Sequence, residues 1–114
     1  MNRAALALLT SQAELDSLIS GALPVLVSFT GPRCMICRQL APMLAAVVAE
    51  AGDRLASAKV DVDALPMVAE RYAIRSLPTT LLFRDGSLAD HISGFATAGS
   101  LRGWLAGHGV ARAG

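Results

Sequence analysis

A chain of 114 residues that is 54% hydrophobic has the length and apolar mass for one domain, 1–114, with a core that needs no staples. Its net charge of +1 comes from mixed acidic and basic residues with no basic run, which removes the electrostatic basis for nucleic-acid binding. No apolar run is read as approaching the roughly 18–20 residues of a membrane span.

Met1-Asn2-Arg3 before the apolar Ala4–Leu9 faintly resembles a signal peptide. The apolar part is shorter than the usual ~7–15 residues and no small-residue cleavage site follows, so the segment is read as a first strand. With no signal and no disulfide framework, the expected location is the cytoplasm, where thiols are kept reduced.

Leu6 to Leu9 is expected as an edge strand. Ser11 and Glu14 have capping-box spacing for a helix whose stripe is Leu15, Leu18 and Ile19 and which Gly21 ends. Pro24 to Phe29 is almost continuously apolar, as in a strand covered on both faces. Gly31-Pro32 breaks it. From Cys34 to Glu50 the period is helical, with Leu40, Leu44, Val47, Val48 and Ala51 on one face. Pro42 lies inside this helix, where it removes the bond to the Arg38 carbonyl and should kink the axis. Gly52 is a natural stop.

Leu55 to Val62 is the next strand, Val60 and Val62 facing one way and Lys59 and Asp61 the other. Pro66 suits the first turn of a helix through Met67, Val68, Arg71 and Tyr72. Thr79 to Phe83 is a strand, Asp85-Gly86 a two-residue hairpin, and Leu88 to Ser93 its partner. Gly94 breaks that strand. Thr97 can cap a last helix packed by Leu101, Trp104 and Leu105, and the tail from Gly107 is expected to fray. The order βαβαβαββα describes an α/β protein with a mixed sheet between two helical layers.

The only cysteines are Cys34 and Cys37, at the strand-to-helix junction after Gly31-Pro32. A first helical turn exposes free amides and the positive end of the helix dipole, which stabilise a thiolate. Cys34 is therefore the candidate nucleophile. Cys37, one turn inside and within disulfide reach, is the candidate resolving thiol. Arg33 and Arg38 flank the pair and add to thiolate stabilisation; Met35 and Ile36 between the thiols are bulky and apolar. A purely structural bridge is a poor reading, because so small a loop removes little unfolded-state entropy. Two inert buried cysteines are the bland alternative. An intrachain metal site lacks ligands: it needs about four, and only His91 and His108 remain, in distant segments. A cluster shared by two chains is geometrically open but has no further support. His91, His108 and Trp104 are read as surface or packing residues. Phe95 is left open between the core and an apolar docking patch with Met35, Ile36 and Leu77.

The chain resembles the thioredoxin family over nearly its whole length. The resemblance is carried by the element order, Cys34-x-x-Cys37, Pro42, Asp61-Val62-Asp63, the stretch Tyr72-Ala73-Ile74-Arg75-Ser76-Leu77-Pro78-Thr79, and Gly86 and Gly94. It implies a thioredoxin fold, a five-stranded sheet of order 1-3-2-4-5 with four helices. It also implies that Pro78 is a cis proline facing the cysteines, with the Leu77 backbone left free to pair with an extended partner segment. The departures are specific. Arg33 stands where a tryptophan is usual, Met35-Ile36 replaces Gly-Pro, and Thr30 replaces an aromatic. Ser28 takes the place of the buried aspartate that helps move the Cys37 proton. Lys59, often that aspartate's partner, is retained.

The implied function is thiol–disulfide exchange with disulfide-containing proteins in redox homeostasis, with electrons from a donor such as a thioredoxin reductase. No bound cofactor, nucleic acid or membrane is implied, and the chain is expected to be a monomer. The rival reading is a non-catalytic polypeptide-binding module using the same groove. Two arginines and the loss of Gly-Pro favour the reduced thiolate form and so imply a more oxidising disulfide than that of ordinary thioredoxin.

Overall fold

The computed structural model describes residues 6–112. Met1 to Ala5, on which the signal-peptide reading turns, lie outside the described residues. The strands are β1 (Ala7–Leu8), β2 (Val25–Thr30), β3 (Ala56–Asp61), β4 (Thr79–Arg84) and β5 (Ser87–Ser93). The helices are α1 (Gln12–Ile19), α2 (Met35–Ala51), α3 (Pro66–Arg71) and α4 (Ala98–Gly107), with a 3₁₀ turn at Gly52–Arg54.

The sheet order is β1-β3-β2-β4-β5, as the family resemblance implies. β1 and β2 both run parallel to β3, whereas β4 runs antiparallel to β2 and β5 antiparallel to β4. Central β2 is hydrogen-bonded on both edges, and Val25 to Phe29 are all buried. Alternation of side chains sorts them into two cores. Val25, Val27 and Phe29 pack with Leu15 of α1 and Val68 of α3. On the other face Leu26 packs with Leu40, Leu44 and Val47 of α2 and Leu101 and Leu105 of α4.

Local chemistry sets the element ends. Ser11 Oγ accepts the Glu14 amide, but the Glu14 carboxylate returns to the Thr10 amide and hydroxyl, so the expected reciprocal box is shifted by one residue. Asp85 and Gly86 both take positive φ (53° and 82°), the geometry of a type I′ hairpin turn, matched to strand twist. α2 runs without interruption through Pro42.

Two expectations are corrected. The segment Met35–Arg54 is 20 residues long and apolar enough, by length and composition, to cross a membrane. A spanning helix is apolar all round, however, whereas here Leu40, Leu44, Val47, Val48 and Ala51 form one buried face against the sheet. The tail expected to fray from Gly107 is held in place as far as Val110. Val110 is buried in the α2/α4 core, and Arg84 Nη1 donates to the His108 carbonyl. A polar cluster holds the same corner: Asp90 Oδ2 accepts from Trp104 Nε1 at 2.9 Å and lies 2.7 Å from His108 Nε2.

Replacing Leu26 by Ala empties a fully buried site between β2 and α2. It should cost about 2–5 kcal/mol in chemical denaturation; a loss below roughly 1 kcal/mol would contradict this packing. The bonds from Trp104 and then His108 hold the Asp90 carboxyl down at about 2. Because the folded-state value is depressed, the stabilisation is complete above the unfolded value near ~3.9 and is lost as pH falls through about 2. Asp90→Asn should therefore lose less Tm than wild type on acidification from pH 4 to pH 2, and equal losses would remove Asp90 from the linkage.

Candidate active site

β2 delivers the chain to the site and Gly31 turns it. A Cβ on Gly31 would lie 3.0 Å from Leu77 Cδ1, so the absence of a side chain lets the Leu77 loop approach. The Cys34 amide donates to the Gly31 carbonyl at 3.3 Å, closing the turn. Cys34 then takes extended backbone as the N-cap of α2 and its Sγ accepts the Cys37 amide at 3.1 Å. Sulfur thus fills the position that a serine or aspartate oxygen usually takes at a helix start. Cys34 and Cys37 are joined as a disulfide with Cα atoms 5.2 Å apart. Cys34 is half-buried, whereas Cys37 is only 8% exposed.

Cys34, Arg33, Leu77 and Asp63 line one cleft of about 260 Å³. Asp63 was missed as a site residue. The Asp61-Val62-Asp63 stretch signalled family membership, but nothing in its spacing placed an acid beside Cys34. The Leu77–Pro78 peptide is cis and Pro78 is buried. The Pro78 carbonyl accepts the Gly94 amide at 2.8 Å, which ties the loop carrying Phe95 to this segment. Among the described residues, neither the N–H nor the C=O of Leu77 has a hydrogen-bond partner. Met35, Ile36 and Phe95 are 63%, 42% and 48% exposed, so the open reading of Phe95 resolves to the surface.

Behind Cys37 the sheet presents a row across three strands: Lys59, Ser28 and Thr80 are register partners. Ser28 and Thr80 are buried; Thr80 Oγ1 has no partner among the described residues. Lys59 is exposed and has no carboxylate within ion-pair distance among the described residues. Ser28, Cys37, Arg38, Pro42 and Lys59 border one open pocket. Arg38 Nη2 also donates to the Pro32 carbonyl at 3.1 Å, and Arg33 is exposed. The site therefore gathers Arg33 with Cys34 and Arg38, Lys59 and Ser28 with Cys37. Among the described residues no group of three or more His, Cys, Asp or Glu is placed to hold a metal. His91 lies exposed on β5 and His108 packs with Asp90 and Trp104.

A half-exposed cysteine capping a helix, disulfide-linked to a buried one, in a sheet of this order defines a thiol–disulfide oxidoreductase. Comparison with known proteins specifies which kind. The Thioredoxin family model matches residues 7–107. Thioredoxin 1 of Synechococcus elongatus is 34% identical over 93 residues, covering 82% of this chain and 87% of that protein. Thioredoxin of Mycolicibacterium smegmatis is 39% identical over 87 residues, covering 75% and 78%. Among solved structures, Malassezia sympodialis thioredoxin superposes with TM-score 0.84 at 26% identity, covering 95% of this chain and 94% of that one. The chain belongs to the thioredoxin family, and its activity is protein-disulfide reduction by thiol–disulfide exchange in redox homeostasis.

The exposure difference has a direct consequence. After reduction, brief treatment with substoichiometric iodoacetamide should label Cys34 well ahead of Cys37, read by peptide mass spectrometry. Equal labelling would contradict the described geometry.

Proposed function

We propose that Cys34 is the nucleophile and Cys37 the resolving thiol. The observation that carries this assignment is the pairing of a half-buried cysteine at the N-cap of α2 with a buried one, 8% exposed, one turn inside. The Cys34 thiolate attacks a disulfide in a partner protein, forming a mixed disulfide and expelling one partner thiolate. Cys37 loses its proton and attacks Cys34 Sγ, which closes the Cys34–Cys37 bond and expels the second thiolate. The partner leaves with two electrons and two thiols.

The unpaired Leu77 backbone supports a role in holding an extended substrate segment by strand-like bonds. Exposed Met35, Ile36 and Phe95 supply apolar contacts around it, with buried Pro78 as the floor. Arg33 and Arg38 favour the thiolates. Ser28 is a poor base, so the Cys37 proton leaves by way of solvent in the pocket that Lys59 and Pro42 border. The reading extends to reduction by a thioredoxin reductase, electron transport as a cytoplasmic monomer, and a disulfide more oxidising than that of ordinary thioredoxin.

Three experiments test these roles. With dithiothreitol as donor, wild type should reduce insulin disulfides and Cys34→Ser should fall to background; equal rates would leave only a polypeptide-binding groove. Cys37→Ser should accumulate the mixed disulfide with its substrate. Titration against glutathione should give a potential above the roughly −270 mV of thioredoxin, and a value at or below it would remove the tuning role of Arg33, Arg38 and Met35-Ile36.

A further inference from the structure

The pocket behind Cys37 holds about 440 Å³, within the range of about 300–1,000 Å³ typical of small-molecule sites. Its chemistry is one-sided. One wall is aliphatic, made by Leu6 and by Ala41, Pro42 and Ala45 of α2. The charged groups are Arg38 and Lys59, and no acidic residue lines it. Lys59 has no ion-pair partner among the described residues, and Arg38 spends one nitrogen on the Pro32 carbonyl. Ser28, 6% exposed, also lines the pocket.

We propose that this pocket is a binding site for a small aliphatic carboxylate, distinct from the cleft at Cys34 that takes the disulfide. The carboxylate end meets Arg38 and Lys59, which supply charge-assisted donors. Ser28 offers a further donor, and the hydrocarbon end lies against Ala41, Pro42, Ala45 and Leu6, where burial out of water is favourable. An inorganic anion would leave that wall uncovered, and a cationic ligand would meet two like charges.

Calorimetric titration of the oxidised full chain with octanoate tests the site independently of disulfide exchange, because no turnover is involved. Octanoate should bind, and octylamine should not displace it. Lys59→Gln should weaken octanoate binding by up to about fivefold, the range of one exposed ion pair. Ala41→Phe, at an exposed position, should fill the pocket and weaken binding at least as much, and Ala41→Leu does the same with less bulk if the phenylalanine variant loses its native circular dichroism. No binding at millimolar octanoate, equal binding of octylamine, or unchanged affinity in folded variants at both positions would overturn the proposal.

Discussion

The site rests on one hydrogen bond, from the Cys37 amide to Cys34 Sγ. Free amides at a helix start must find acceptors, and here the acceptor is a sulfur of the disulfide pair itself. The same contact caps α2, aims Cys34 outward and draws the two sulfurs within bonding reach. It is available only because β2 ends at Thr30 and Gly31 turns the chain beside Leu77. Central β2, paired on both edges and packed by helices on both faces, gives that turn a rigid base.

The two sulfurs meet different surroundings. Cys34 opens on a cleft with Arg33, Asp63 and Leu77, where a polypeptide can lie along an unpaired backbone. Cys37 faces inward over the Lys59–Ser28–Thr80 row, which carries hydroxyls and an ammonium but no carboxylate. A buried acid would be a local proton acceptor. Without one, the charged side chains that border the pocket at Cys37 are Arg38 and Lys59. The fold is that of thioredoxins, whereas the surroundings of Cys37 are made by this chain's own residues.

Much of this was legible in the amino-acid order. The continuous apolar run of β2, the helical stripe of α2 and the Asp85-Gly86 turn each report a local preference that the tertiary structure reinforces. The misses share a cause, since each depended on contacts distant in sequence. Val110 looks like tail until α2 and α4 form the groove that buries it. His108 has no neighbouring acid along the chain, yet β5 brings Asp90 to it. Asp63 reaches the cleft because β3 ends beside the Gly31 turn, its Asp61 in register with Thr30. Phe95 could not be placed by pattern, because a single aromatic after a glycine has no period to read.

The central claim is that the N-cap position makes Cys34 the thiolate of the pair. It is tested most directly by following thiolate absorbance near ~240 nm against pH in reduced Cys37→Ser protein, where Cys34 is the only thiol. The account predicts a midpoint well below the ~8.5 of an unperturbed cysteine. A midpoint at or above that value would contradict it.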